Sequence, residues 1–174
     1  GALGDIGTHA EQLLSYVTGL QIESLSAAVS AFVDGRQVDD DASVLLRLSN
    51  GAKAVLTCSQ IEIGRENDLR IAIHGSLGSL RWQQEQPRQI LSRGGAGLCE
   101  EAAAATRLPA GHPEAFIEAF ANIYRNAAQH IRAQQAGESH MPQYPTVQDG
   151  VKGVKFVDAV LRSARSKEKW TPLK

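Results

Sequence analysis

A chain of 174 residues with 43% apolar and 21% charged side chains has enough material for one packed domain. Its formal net charge of −1 and the lack of a basic stripe exclude nucleic acid as the main partner. No apolar run reaches the roughly 20 residues of a membrane span, so no membrane partner is expected.

The opening Gly1-Ala2-Leu3-Gly4 resembles neither a signal peptide nor a translation start, and the chain is expected to begin in mid-protein. Residues 5–18 read as a helix, with Ile6, Ala10, Leu13, Leu14 and Val17 at helical spacing and Gly19 as a left-handed stop. Within it Asp5 and His9 stand four apart, a spacing that puts both on one face. Three readings are open for the pair: an acid–base couple, half of a metal site, or a helix start capped by Asp5 with His9 on the surface. The other histidines (His74, His112, His130, His140) offer no spacing that completes a metal site, and no metal is expected.

After Gly19 the period changes to two. Leu25, Ala27, Val29 and Ala31 alternate with Ser24, Ser26, Ala28 and Ser30, which predicts a strand. Asp39-Asp40-Asp41 reads as a solvated turn. Val44, Leu46 and Leu48 then alternate into Asn50-Gly51, the dipeptide of a two-residue primed hairpin turn, and a second alternating run follows. Cys58 in that run and Cys99 form no CxxC pattern and read as reduced thiols of a cytosolic protein.

Gly64-Arg65-Glu66-Asn67 is either a solvated loop or a substrate contact. LRIAIHGSLGSLRW supplies two more strands broken at Gly75 and Gly78, and RQILS another before Gly94-Gly95. The connections are too short for helical crossovers, so these strands pair mainly antiparallel. The glycines at 4 and 7, and those at 94, 95 and 97, lack the βαβ context of a dinucleotide fingerprint and read as turns.

From His112 a helical period returns. Pro113 suits the first turn, Phe116, Phe120, Ile123, Ala127 and Ile131 share a face, and Gly137 ends the run. Thr146 and Asp149 match a capping box, after which Val151, Val154, Val157, Val160 and Leu161 predict the buried face of a last helix. Trp82, Tyr124 and Trp170 read as packing aromatics, the last in a short polar tail. Helix, run of strands, two helices is an α+β order: one large open sheet with helices gathered on one face.

Four stretches in order make the chain resemble the C-terminal domain of the glucose–fructose oxidoreductase, inositol dehydrogenase and rhizopine-catabolism family (Gfo/Idh/MocA). They are GALGDIGTHAEQLL, GREN followed by LRIAIHGSLGSLRW, GHPEAFIEAFANIYRNAAQHI, and YPTVQDGVKGVKFVDAVLRSAR. The resemblance implies a dihydrodipicolinate-reductase-like C-terminal domain over 1–174, serving substrate binding and oligomerisation. It also implies a fragment that lacks the N-terminal Rossmann domain with its GxGxxG turn, and lacks the Glu-Lys-Pro segment.

The implied activity is NAD- or NADP-dependent hydride transfer at a CH–OH group of a sugar, inositol or related polyol. The implied enzyme is a cytoplasmic homo-oligomer joined through the sheet face. The cofactor is expected on the missing half, with no cofactor-binding residue in this chain, and the fragment alone is expected to be inactive. His9 matches the family's acid–base histidine and Asp5 its polar partner. That suits the chemistry, because alcohol oxidation sheds a hydroxyl proton and imidazoles in general titrate near neutral pH. Arg65, Asn67 and His112 fall in segments that approach substrate in relatives. The alternative is a non-catalytic oligomerisation or sugar-binding module; a GxGxxG turn and a Glu-Lys-Pro segment upstream in the reading frame would speak against it.

Overall fold

The computed structural model describes residues 1–86, 89–94, 97–102 and 115–173. They fall into two compact units, Gly1–Arg65 with Val147–Lys174, and Glu66–Thr146. In chain order the elements are a π-helical turn (Leu3–Gly7), α1 (Thr8–Thr18), β1 (Ile22–Ser30), β2 (Asp41–Leu48), β3 (Lys53–Ser59), β4 (Arg70–Gly75), β5 (Gly78–Gln83), β6 (Gln89–Gly94), β7 (Gly97–Ala102), α2 (Ala115–Gln135), α3 (Val147–Arg165) and β8 (Thr171–Pro172).

The first unit is built on the alternation in β2. Ala42, Val44, Leu46 and Leu48 are buried, while Ser43, Leu45 and Arg47 are exposed. Antiparallel pairing sets like faces together: Leu25 of β1 lies opposite Leu46 and Ala27 opposite Val44, with Leu56 of β3 on the other side of Val44. Onto this apolar face α3 lays Phe156, Ala159 and Val160, joined by Leu3 from the chain's start. Burying a side chain the size of Phe156 or Leu25 contributes about 1.5–3 kcal/mol.

The buried face of α3 is shifted from the expected one. Gly153, Phe156, Ala159, Val160 and Ser163 are inside, whereas Val151 and Val154 are exposed. The small residue at 153 faces Thr8 and Gln12 of α1, those at 159 and 163 face the sheet side, and a count of large apolar residues passes over all three. Ser163 also has a task at the sheet edge, where its Oγ accepts the Ala27 N–H at 3.1 Å. The polar tail is a strand: Thr171 pairs with Leu25, and the Arg47 guanidinium stacks 3.9 Å from the centroid of Trp170. The hairpin turn differs too. Leu48 and Ala52 share a ladder bond, and only Gly51 has positive φ (83°), which defines a three-residue loop. A two-residue primed turn needs positive φ at Asn50 as well, and the Asn50 side chain instead accepts the Ala52 N–H at 2.9 Å.

In the second unit β4 to β7 form an up-and-down antiparallel sheet, with Gly75 opposite Gly78 and Gly94 opposite Gly97 at hairpin ends. The α+β antiparallel class therefore holds, with the strands divided between two four-stranded sheets instead of one broad sheet. Helix α2 ends as expected at Gly137 (φ 71°), with the Glu138 N–H returning to Ala133 O at 2.8 Å. Its apolar stripe is real but open: Phe120, Ile123 and Ile131 are exposed, as is Tyr124. Helical spacing fixes which residues share a face, not whether protein covers that face.

Candidate functional site

The helix that carries Asp5 and His9 starts earlier than its apolar spacing indicates, and in a wider turn. Leu3–Gly7 is π-helical and passes directly into α1, so Asp5 lies in the wide turn and His9 in the first turn of α1. Single π turns within helices are uncommon and occur often at functional sites. The glycines at 4 and 7 are thus helical, not a free turn. Gly7 sits at a close approach, because a Cβ there would stand 3.1 Å from both Cys58 Sγ and Leu3 Cδ1. Its absence lets the π turn close onto β3.

Asp5 is not the cap. The turn is capped from outside by Asp39, whose Oδ2 accepts the Leu3 N–H at 2.7 Å and whose carbonyl accepts the Ala2 N–H at 2.8 Å. Asp5 is left free of that duty, and its Oδ2 accepts a hydrogen bond from Gln60 Nε2 at 2.9 Å. Both Asp5 and His9 are exposed, and no described side chain bonds to His9.

The run at 39–41, expected to be a solvated turn, is structural. Asp40 is fully buried, and its carboxylate accepts the Phe32 and Val33 N–H groups at 2.8 and 3.0 Å, with Arg36 at 3.5 Å. The Phe32 bond, aided by Val33 and Arg36 and opposed by burial, holds its pKa below the ordinary carboxylate value. The Asp40 carbonyl in turn accepts the Gln60 N–H at 2.8 Å.

On its inner side α1 buries Glu11, whose Oε1 accepts the Ser15 hydroxyl at 2.9 Å while Oε2 has no partner among the described residues. Burial raises its pKa, with Ser15 and Lys152 opposing and Asp149 adding to the rise. Below the π turn Cys58 is a free, buried thiol pushed up to about 11, chiefly by burial and further by Asp39 and Asp41.

The other expected residues are placed as follows. Arg65 sits in an exposed turn of the first unit, its Nε 3.9 Å from Glu62 Oε2. Asn67 belongs to the second unit and is exposed. His112 lies outside the described residues, as does the Cys99 side chain. Among the described residues no three His, Cys, Asp or Glu side chains converge, and no helix is long and apolar enough to cross a membrane. Gln60, Asp39 and Gly7 were not foreseen as parts of the site. The only sequence signal was the triple aspartate, whose burial no local pattern reveals.

Comparison with known proteins agrees with this fold. Residues 1–81 match the model of the GFO/IDH/MocA C-terminal domain. The chain is 31% identical over 188 residues to the uncharacterized oxidoreductase YfiI of Bacillus subtilis (strain 168), covering 99% of this chain and 48% of that protein. Among solved structures, an oxidoreductase from Sinorhizobium meliloti is 40% identical with a TM-score of 0.85, covering 97% of this chain and 52% of that one. An inositol dehydrogenase homolog from Azotobacter vinelandii, complexed with NADH and myo-inositol, is 27% identical with a TM-score of 0.83, covering 98% of this chain and 49% of that one. The chain spans about half the length of these relatives. Its antiparallel α+β architecture is that of an oxidoreductase C-terminal domain. The chain thus matches the Gfo/Idh/MocA C-terminal domain over residues 1–81, and over nearly its whole length it is similar to oxidoreductases.

Proposed function

We propose that this chain is the substrate half of an NAD(P)-dependent dehydrogenase that oxidises a CH–OH group of a sugar, inositol or related polyol. The observation that carries the reading is the exposed pair on one helix: His9 unbonded by any described side chain, and Asp5 relieved of capping by Asp39. The match to the Gfo/Idh/MocA C-terminal domain and the relative complexed with NADH and myo-inositol support the substrate class.

In this reading Asp5, an acceptor-only carboxylate, receives hydrogen bonds from substrate hydroxyls and sets the ring's orientation. His9 accepts the proton of the reacting hydroxyl as that carbon is oxidised, and returns it in the reverse direction. Arg65, Asn67 and His112 are proposed as further substrate contacts. A dinucleotide cradle needs a strand, a glycine turn and a helix N-terminus in succession. The glycines at 4 and 7 lie in a π turn and those at 94 and 97 at a hairpin end, outside such a succession. Nicotinamide, which accepts hydride, belongs in this reading on a separate dinucleotide-binding half.

The outer face of the first sheet presents Ser26, Ala28, Ser43, Leu45, Val55 and Thr57, of which Leu45 and Val55 are large, exposed and adjacent across β2 and β3. This face is proposed to join subunits in a cytoplasmic homo-oligomer.

The test is a screen of the full-length enzyme against sugars, inositols and their oxidised forms with NAD and NADP, following nicotinamide absorbance. Turnover of at least one polyol is expected. Absence of turnover across the panel, with sugar binding retained, would favour a non-catalytic module.

A further inference from the structure

We propose that Gln60 is a positioning residue of this site, its side-chain amide fixing the Asp5 carboxylate for substrate. The inference rests on the reading of Asp5 and His9 given above. A carboxylate on an exposed turn can rotate and offer either oxygen. Gln60 Nε2 occupies Oδ2 at 2.9 Å, which leaves Oδ1 as the free acceptor. The donor is a neutral amide, so the bond orients the carboxylate without pairing it with a cation, as a lysine or arginine there would.

Both ends of this bond are tied to consecutive residues. Asp39 holds the start of the turn that carries Asp5, through the Leu3 and Ala2 N–H groups. Asp40, buried and anchored by Phe32 and Val33, holds the Gln60 N–H on its carbonyl. Two residues before Gln60, Cys58 packs against the space left at Gly7, so the π turn and the end of β3 are also in register through the core. The bond itself is exposed and bridges 55 positions of sequence. Exposed side-chain bonds add little to stability, yet this one joins two elements each anchored beneath it. That combination suits a contact that orients a group more than one that holds the fold.

The test uses the full-length dehydrogenase with its preferred polyol. Gln60→Met keeps the length and removes the donor, Gln60→Glu sets a like charge against Asp5, and Asp5→Ala removes the acceptor. Gln60→Met is expected to lower kcat/KM by about ten- to a hundredfold, the range of a misplaced binding group, with much of the loss in KM for the polyol and none in KM for the nucleotide. Gln60→Glu should be worse, and in both the melting midpoint should move by less than about 2 °C. Added to Asp5→Ala, Gln60→Met should cost less than about twofold more, because its only task is already gone. If Asp5→Ala impairs turnover while Gln60→Met does not, the positioning role is refuted and the reading of Asp5 survives. If Asp5→Ala is itself harmless, the reading beneath falls and this inference with it. A Gln60→Met loss that persists in the Asp5→Ala background, or comes with a large drop in melting midpoint, also overturns the proposal.

Discussion

The packing beneath Asp5 can be probed through Cys58. Gly7→Ala places a methyl group 3.1 Å from Cys58 Sγ and Leu3 Cδ1, closer than a carbon normally sits, so the π turn must lift or the thiol must move aside. Overpacking of this kind costs about 1–3 kcal/mol, against about 1 kcal/mol gained from replacing glycine by alanine in a helix. The net destabilisation is therefore small, and the change shows best in the thiol. In the wild type, burial first and then the Asp39 and Asp41 charges raise Cys58 from 9.0 to about 11, so near pH 7.5 its thiolate is roughly 100-fold scarcer than that of an ordinary cysteine. Iodoacetamide labelling followed by mass spectrometry, in a Cys99→Ser background, reads this directly. Wild-type Cys58 should label at least about 100-fold more slowly than in the denatured chain, and Gly7→Ala should speed labelling several-fold with the helical content unchanged. Labelling of native Cys58 at the denatured rate, or no effect of Gly7→Ala, would refute the close packing of the turn on β3.

Other perturbations follow from the same geometry. Asp40→Asn can keep one of the two backbone N–H bonds but turns an amide donor toward the other, so the melting midpoint should fall at pH 7. Because the pKa of Asp40 is lowered on folding, its contribution is present above its ordinary value of 3.8 and lost as pH falls through the folded value. The gap between wild type and variant should therefore narrow below about pH 4, and an equal gap at both pH values would count against it. Glu11 has the opposite sign: burial raises its pKa, so ionising it as pH rises from about 4.5 costs stability. Glu11→Met should raise the unfolding free energy at pH 7 by on the order of 1 kcal/mol and leave it unchanged or lower at pH 4; destabilisation at pH 7 would refute a net penalty on the buried charge. Phe156→Ala, at the fully buried centre of α3, should cost about 3–5 kcal/mol in chemical unfolding, and a loss below 1 kcal/mol would remove Phe156 from the core.

Much of the fold was legible where period and local chemistry agree. Val44, Leu46 and Leu48 named the inner face of β2, and Gly19 and Gly137 marked helix ends that the positive φ angles bear out. What escaped depends on distant partners. Thr171 and Pro172 form a strand only because β1 offers its edge beside Trp170 and Arg47. Asp40 is buried because two backbone N–H groups eight and seven residues earlier point at it, which composition reads as a charged turn. At the candidate site, the spacing of Asp5 and His9 was visible in the sequence. Removal of the capping role from Asp5 was not, since it needed Asp39 to reach across 36 positions. Gln60 is 55 residues from Asp5 and follows an ordinary strand, so only the folded chain brings it to the carboxylate.

Whether His9 moves the substrate proton decides the function proposed for this chain. Steady-state kinetics of His9→Ala in the full-length enzyme, with the polyol found in the screen, measure it, and melting curves report folding. The ring is exposed and unbonded by any described side chain, so its loss should change stability by no more than the amount usual for surface positions, about 0.5 kcal/mol. Removal of a positioned acid–base group should lower kcat by roughly 10²- to 10⁴-fold. A His9→Ala enzyme that folds normally and keeps the wild-type kcat would contradict the acid–base assignment.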